Sequence, residues 1–213
     1  MKKADRNDKL RPNFNQSPIR GMRRAGKNDK ALIIDILTKS FDTNASVNYI
    51  IKQGNKRIKR IRALMDYSFE VCNLFGDVFI NADGNACALI VYPDARKTTL
   101  KSILLDAKLI FRCVGLGNLM KTIKREKIIS SAQPKIPMTY LWFIGVLPSD
   151  QNKGIGSKSL QFIIDYSNYH ERPVYLETST VKNLPWYEQF GFEVYHEVDL
   201  SYHLYFFKRD IKR

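Results

Sequence analysis

The feature that most constrains the fold is a block from Leu141 to Phe192, in which strand, glycine and helix patterns follow one another in a fixed order. An apolar run, 141–148, precedes a glycine loop, Gln151 to Gly156, and a helical stretch starts at Ser157. A second apolar strand, Pro173 to Thr178, and another helical segment from Asn183 complete the block. The order strand, loop, helix, strand, helix can hold an anion at the start of the first helix and open a slot beside it. We therefore predict that this block binds a phosphorylated cofactor and that the rest of the chain builds a substrate pocket around it.

Length and composition indicate one globular domain. The chain has 213 residues, of which 44% are hydrophobic and 12% aromatic, as expected for a single packed core. No apolar stretch approaches the ~18 residues of a spanning helix, and the charged N-terminus lacks a signal-peptide pattern. These features predict a cytoplasmic protein with no membrane partner. The three cysteines and three histidines show no ligand spacing, so we predict no metal site.

The net charge of +14 is unevenly placed. Residues 1–30 carry ten Lys or Arg against three Asp, which is half of the total. Because this region has few apolar residues, we expect residues 1–18 to be a disordered basic tail and residues 19–213 to form the single domain. Such a tail is either a solvated segment or a contact for nucleic acid or the ribosome, and the sequence leaves both open.

Short patterns before the central block predict a strand and several helices. Ile19 to Arg24 suggests a first strand, and Asn28 or Asp29 would cap a helix that runs through Ser40. Val47 to Leu74 is one long helix or two, with a break at Gly54-Asn55. Five cations lie close together here and indicate either a phosphate contact or a solvated helix face; they are Lys56, Arg57, Lys59, Arg60 and Arg62.

A hairpin and a helical insert follow. Asp83-Gly84 lies between two β-prone runs, Asp77 to Asn81 and Ala86 to Tyr92, which predicts a β-hairpin. Two helical patterns come next, Thr98 to Cys113 and Leu116 to Ile129. Two helices between a hairpin and the main strand are more than a minimal core needs, so we assign them to a wall of the substrate pocket.

The apolar run and the glycine loop have their own local chemistry. Thr139 to Val146 is apolar at nearly every position, which predicts a strand buried on both faces, and Gly145 within it predicts a bulge or splay where a ligand approaches. Gly154 and Gly156 allow successive backbone N–H groups to point at one anion, and the helix start adds positive potential. The loop is therefore a predicted pyrophosphate site, with Lys153 and Lys158 as supplementary charge.

Two common nucleotide motifs fit this loop poorly. A Walker loop needs Gly-Lys-Ser/Thr after four spacer residues, and that motif is absent. A dinucleotide fingerprint is nearer, since Glu177 follows Gly154-Ile-Gly156 at a suitable distance, but Ser159 stands where the third glycine belongs.

Taken together, three motifs resemble the GNAT superfamily of acetyl-CoA-dependent N-acetyltransferases. They are Val146-x-Pro148, Gln151-x-x-Gly154-x-Gly156 and Asn183-x-x-x-Tyr187-x-x-x-Gly191-Phe192. Residues 175–179, running into 183–192, are further similar to the puromycin N-acetyltransferase-like group. The resemblance implies an α/β (α+β) fold, a mixed and mostly antiparallel sheet flanked by helices, with a helical insert before the main strand.

The resemblance also implies acetyl-CoA as co-substrate and a set of residues that hold it. The pantetheine arm would pair with β-strand backbone at Ile144, Gly145 and Val146. The pyrophosphate would lie on Gln151, Asn152, Lys153, Gly154, Ile155, Gly156 and Ser157. Asn183 would cap the next helix and reach the cofactor arm.

Two residues are implied to act in catalysis. Tyr187 would protonate the departing thiolate, which a phenol can do without being ionised; a packing role is the alternative. Many relatives place a Glu on the main strand, where this chain has Trp142, Phe143 and Ile144. The nearest candidate base or ammonium anchor is Glu177, against a structural ion pair or deprotonation by water.

The predicted function is transfer of acetyl from acetyl-CoA to a primary amine of a small molecule. Acetylation of a protein N-terminus or lysine is one alternative. A non-catalytic nucleic-acid or ribosome-binding module that uses the basic tail is another, although we expect no nucleic-acid partner for the enzyme. A homodimer is left open.

Overall fold

The computed structural model describes residues 21–211, which form a seven-stranded sheet with helices on both faces. The strand order is β1-β2-β3-β4-β5-β7-β6, and every neighbouring pair is antiparallel except β4 and β5. The strands are β1 (Met22–Arg24), β2 (Gly76–Asn81), β3 (Ala86–Val91), β4 (Thr139–Val146), β5 (Val174–Thr178), β6 (Glu193–Asp199) and β7 (His203–Arg209). This confirms the predicted mixed, mostly antiparallel sheet. The predicted tail, residues 1–18, lies outside the described residues.

Seven α-helices flank the sheet within the described range. They are α1 (Lys30–Ser40), α2 (Ala45–Ile50), α3 (Arg57–Phe75), α4 (Leu100–Leu109), α5 (Leu116–Ala132), α6 (Ile155–Tyr169) and α7 (Leu184–Gln189). Across residues 21–211, none of these helices is both long enough and apolar enough to cross a bilayer. The predicted break at Gly54-Asn55 lies between α2 and α3.

Two apolar cores lie on opposite faces of the sheet. One is built by α1 and α3, with Ile33, Leu37 and Phe69 at its centre. The other is built by α6 and α7, with Ile163 and Tyr187 among its members. Because side chains alternate along a strand, each central strand contributes to both cores.

Three of the five clustered cations at the start of α3 are used within the chain. Arg57 forms an ion pair with Asp42, and Arg62 forms one with Asp35. Arg60 donates hydrogen bonds to the carbonyl oxygens of Lys52 and Gln53. These contacts anchor the α1–α3 connections, which favours the structural interpretation over a phosphate site.

The predicted hairpin and insert are both present. Gly84 has φ +66 in the tight turn between β2 and β3, a conformation that glycine adopts readily. The insert consists of α4, one turn of π-helix at Ile110–Val114, and α5, with a change of direction at Gly115. Leu105 of α4 is buried, and α5 lies against α2.

Strand β4 differs from the prediction in two ways. Its residues alternate between buried and half-buried, because helices cover only parts of both faces. Its bulge lies at Trp142, where the register with β3 shifts between Leu89 and Ile90, and not at Gly145. As expected for a bulge, Trp142 and the next residue, Phe143, pack on the same core.

Gly145 has a different reason to be glycine. A Cβ placed there would lie 3.0 Å from Leu37 Cδ2 and 3.2 Å from Ser40 Oγ. The missing side chain therefore allows α1 to lie close to β4. The predicted bulge at Gly145 is wrong, whereas Gly145 does lie where β4 and β5 are splayed apart, because these strands pair only at residues 139 and 140.

Candidate active site

The site is centred on a gap between β4 and β5. These two parallel strands pair only at Thr139 with Val174 and at Tyr140 with Tyr175. Beyond Tyr140 they separate, while β5 continues to pair with β7 through Thr178. A gap of this kind leaves strand-edge backbone unpaired and connects the two faces of the sheet.

The β4 edge that faces this gap is formed by Ile144 and Val146. Leu147 donates its backbone N–H to Asn85 O on the β3 side, so the backbone of residues 144 and 146 points the other way. The Val146 carbonyl accepts hydrogen bonds from Ser40 Oγ at 2.7 Å and Gln151 Nε2 at 3.3 Å. Backbone groups of Ile144 and the Val146 N–H are thus placed to pair with an extended amide-containing ligand, whereas the Gly145 backbone faces β3.

The glycine loop leads directly into α6, two residues earlier than the predicted start at Ser157. Asn152 and Gly154 have φ of 62 and 76, and α6 begins at Ile155 with no side-chain cap. The N–H of Lys158 is bonded to Gly154 O, so the preceding N–H groups of the first turn have no intrahelical acceptor. Together with the helix dipole, they form an anion-binding position.

The two lysines near this loop are not equivalent. Lys153 Nζ forms an ion pair with Asp150 at 2.9 Å, and this lysine lowers the pKa of the Asp150 carboxyl. Lys158 is exposed and has no ion pair with any residue in the range 21–211. Lys158 is therefore the better supplementary charge for an anion.

Helix α7 closes the gap from the side of α6. Trp186 Nε1 donates to Ser157 Oγ at 3.0 Å and ties α7 to the first turn of α6. Asn183 stands at the start of α7 but its side chain makes no capping hydrogen bond, so the predicted capping role is wrong. Its half-buried amide has no hydrogen-bond partner within residues 21–211 and remains available to a ligand.

Tyr187 has a buried ring and an unpaired hydroxyl. The side chain is 5% exposed and contacts the rings of Trp186, Phe192 and Phe207. Its hydroxyl bonds to no residue in the described chain and is not fully enclosed. Burial raises the pKa of Tyr187 well above its usual range, so the phenol stays protonated and can donate. The ring contacts fix the position of the Tyr187 side chain, but a phenylalanine would make the same contacts, so packing does not explain the hydroxyl group.

Glu177 lies on β5 and faces the opposite side of the sheet from Tyr187. Tyr140 donates its hydroxyl hydrogen bond to Glu177 Oε2, and Gln133 Nε2 donates to Oε1 at 3.1 Å. Burial raises the pKa of Glu177 to about 7 from its ordinary 4.5, although these two hydrogen bonds act in the opposite direction. A carboxyl with this pKa exchanges protons near neutral pH, which suits a general base.

A buried arginine extends the polar network on this face. Arg125 of α5 donates from Nε to Tyr202 Oη at 2.9 Å and from Nη2 to Ser46 Oγ at 2.6 Å. It also pairs with Glu126. Sequence reasoning did not single out Arg125, Gln133 or Tyr140; alternation along the predicted strand places Tyr140 on a defined face, but no local pattern marks the other two.

Of the predicted site residues, most come together around the gap. Gln151 contacts the Val146 carbonyl at the β4 edge, and Ser157 at the α6 start contacts Trp186 of α7, the helix that also carries Tyr187 and begins beside Asn183. Gly145 lies in the same strand but faces α1 and β3. Among residues 21–211, no group of His, Cys, Asp and Glu side chains is arranged to hold a metal ion.

Residues 112–192 match the acetyltransferase (GNAT) family. An uncharacterized N-acetyltransferase of Schizosaccharomyces pombe is 40% identical over 62 residues, which is 29% of this chain. The matched stretch spans only 25% of that protein's length. The family match thus spans α5, β4, the glycine loop, α6, β5 and α7.

Solved structures extend the likeness in fold to nearly the whole chain. A structure described as histone acetyltransferase HPA2 and related acetyltransferase, from Corynebacterium glutamicum, superposes with a TM-score of 0.67 at 17% identity, covering 91% of this chain and 97% of that one. The C-terminal condensation domain of Ebony, in complex with beta-alanyl-dopamine, gives 0.60 at 9% identity, covering 89% and 98%. The sheet and its helices are therefore those of the GNAT fold.

Proposed function

We propose that this chain, a GNAT-type acyltransferase by its family match and its fold, transfers acetyl from acetyl-CoA to a primary amine of a small molecule. The observation that carries the proposal is the gap between β4 and β5. It has an uncapped helix start at one end, an unpaired tyrosine hydroxyl on one face and a carboxyl with a near-neutral pKa on the other.

The gap suits the shape and chemistry of coenzyme A. Backbone groups of Ile144 and Val146 would pair with the amides of the pantetheine arm, as a neighbouring strand would. The N–H groups of the first turn of α6 would take the pyrophosphate, supplemented by Lys158. A Cβ on Gly156 would lie 3.7 Å from both Trp186 and Val146, which is ordinary contact. The protein itself therefore leaves room for a side chain here, and glycine leaves that room to a ligand.

The two catalytic groups have complementary roles. Glu177 would accept a proton from the incoming ammonium, so that the free amine can form a bond to the thioester carbonyl carbon. Tyr187 would give its proton to the sulfur as the carbon–sulfur bond breaks, and the proton that the acetylated nitrogen then loses would return through water to the Tyr187 phenolate. Most of the rate enhancement would come from holding amine and thioester together, which is a positional effect.

The acceptor side supports a small molecule. Glu177 is enclosed by Tyr140, by Gln133 at the end of α5, and by the Arg125 network that joins α5 to α2 and Tyr202. These elements leave a confined approach to the carboxyl, which favours a compact amine over a protein surface. The puromycin N-acetyltransferase-like subgroup remains a prediction from sequence and agrees with such an acceptor.

Two measurements test the proposal. Calorimetry with acetyl-CoA should give saturable binding and a raised unfolding temperature; no heat and no thermal shift at millimolar acetyl-CoA would refute the cofactor assignment. An amine panel assayed by thiol release should then identify small acceptors. If only proteins in a cell extract take up labelled acetyl, as read by mass spectrometry, the acceptor is a protein N-terminus or lysine instead.

A further inference from the structure

The helical insert carries exposed apolar side chains that the proposed reaction does not use. Leu100, Leu104, Phe111 and Met120 are 82%, 70%, 79% and 74% exposed, and Ile103 and Ile123 are about half exposed. We call these six side chains the insert surface. Single exposed apolar residues are common on proteins, but six large ones within one helical insert indicate an interaction site.

The pattern on α4 is that of a helix with two apolar faces. Leu105 and Leu109 pack toward α3 and its core. Leu100, Ile103, Leu104 and Phe111 recur at the spacing of one helix face, on the side away from that core. This second apolar face does not stabilise a monomer in water, because it stays exposed, and it therefore indicates a binding partner.

The segment that carries the insert surface is strongly basic. Residues 96–135 contain ten Lys or Arg and two acidic residues, a net charge of +8. Residues 1–30 carry +7 of the total of +14, so the remaining residues together carry a net charge of −1. Seven of the cations in residues 96–135 have no ion-pair partner in the part of the chain that the structure describes: Arg96, Lys97, Arg112, Lys121, Lys124, Lys127 and Lys135. Of these, Lys121 lies over the ring of Tyr49. The insert is therefore both the most apolar exposed surface and the most basic folded segment.

We propose that, contrary to the sequence-based expectation of no membrane partner, the insert surface docks the protein on an anionic lipid bilayer, with the apolar side chains entering the headgroup region and the cations contacting acidic headgroups. Basic residues beside Leu, Ile and Phe are the features of a helix that lies in the interface and does not span it. A second copy of the chain fits less well, because two strongly basic surfaces would repel each other. Side chains that are 70% or more exposed protrude singly, which suits insertion into a fluid layer better than contact with a rigid groove.

Co-sedimentation of the full chain with large vesicles tests this docking. We expect binding to phosphatidylcholine vesicles containing about one third phosphatidylserine, weak binding to phosphatidylcholine alone, and loss of binding as salt rises. The double substitution Leu104→Ser and Phe111→Ser should lower vesicle partition about tenfold or more. The matched control, Leu32→Ser with Tyr169→Ser, changes two exposed side chains outside the insert and should leave partition unchanged.

The outcomes separate docking from its alternatives and from the proposed reaction. Equal vesicle binding by wild type and the insert variant, or no binding by wild type, overturns the proposal. A dimer that the insert substitutions abolish, without vesicle binding, overturns it in favour of a second copy. Circular dichroism should show both variants folded. Acetyl-transfer assays are independent of vesicle binding, so failure of one proposal does not decide the other.

Discussion

The two sides of the gap, one of which we propose for the cofactor and the other for the acceptor, are built in different ways. The cofactor side consists of backbone groups and one helix start, contributed by a single continuous stretch from β4 through α7. The acceptor side consists of side chains from α2, α5, β4, β5 and the turn before β7, whose residues range from Ser46 to Tyr202. One side is a local motif, and the other exists only after the whole chain has folded.

This difference has a chemical counterpart. Backbone N–H groups and a helix dipole are indifferent to the neighbouring side chains, so they can serve the same ligand in many sequences. A buried carboxyl with two hydrogen-bond donors depends on each of those donors and on the exclusion of water. We therefore expect substitutions on the cofactor side to change acetyl-CoA affinity or leaving-group protonation, and substitutions on the acceptor side to change pH dependence.

The largest expected effect is that of Tyr187→Phe. The substitution removes the only group that we assign to protonation of the thiolate, so kcat should fall about 100- to 1000-fold. The ring contacts remain and the hydroxyl has no partner to lose, so acetyl-CoA affinity and the unfolding temperature should change little. Steady-state kinetics and calorimetry measure these quantities, with exposed Tyr169→Phe as the control. A variant with the wild-type rate would show that Tyr187 only packs.

A second prediction concerns the anion position at the start of α6. Gly156→Glu places a carboxylate in the first turn, where the helix dipole tolerates it but where it would repel the pyrophosphate. We expect acetyl-CoA affinity to fall about 100-fold in calorimetry, with the fold retained. Gly117→Glu, in the first turn of α5 with open space around its Cα, is the matched control. Unchanged affinity for the Gly156 variant would move the pyrophosphate elsewhere.

A third prediction tests the acceptor side through its pH profile. Because the pKa of Glu177 is raised to about 7, wild-type kcat/KM should rise with pH up to that value and then level off. Glu177→Gln keeps the size of the side chain but cannot accept a proton, so activity should fall about ten- to a hundredfold and the rise near pH 7 should disappear. The control substitution of an exposed residue, Glu188→Gln, should keep both the activity and its rise near pH 7. An unaltered profile in the Glu177 variant would assign deprotonation to water.

The smallest expected effect is that of Glu177 on the free energy of unfolding, which should decrease as pH rises. Since the folded pKa of Glu177 lies above its ordinary 4.5, the folded state binds the proton more tightly than the unfolded state. The stabilising contribution is full below about pH 4.5 and is lost as pH rises through about 7. At about pH 8, Glu177→Gln should therefore be more stable than wild type by about 1–3 kcal/mol, with little difference at about pH 4. Urea unfolding at both pH values measures this; a destabilised variant at high pH would contradict the buried, uncharged environment.

Local sequence patterns predicted the secondary-structure elements well, but they predicted the tertiary contacts of single residues less well. The hairpin at Asp83-Gly84, the break at Gly54-Asn55 and the glycine loop before α6 all follow from turn and helix-start chemistry within a few residues. The bulge expected at Gly145 was wrong, because glycine is needed there for the approach of Leu37 and Ser40 from α1, more than a hundred positions earlier. The capping role of Asn183 failed for a related reason, since a residue at the right position need not use its side chain there.

By itself, the sequence determined the order of elements and the position of the glycine loop before α6, because glycine spacing and apolar periodicity act over short distances. Only the tertiary structure decided where β4 and β5 separate, which side chains surround Glu177, and why its pKa approaches neutrality. Those properties depend on the exclusion of water and on donors brought from distant segments, such as Gln133 and Tyr140. The stretch from Leu141 to Phe192 thus forms one wall of the gap, and packing of the remaining chain forms the other.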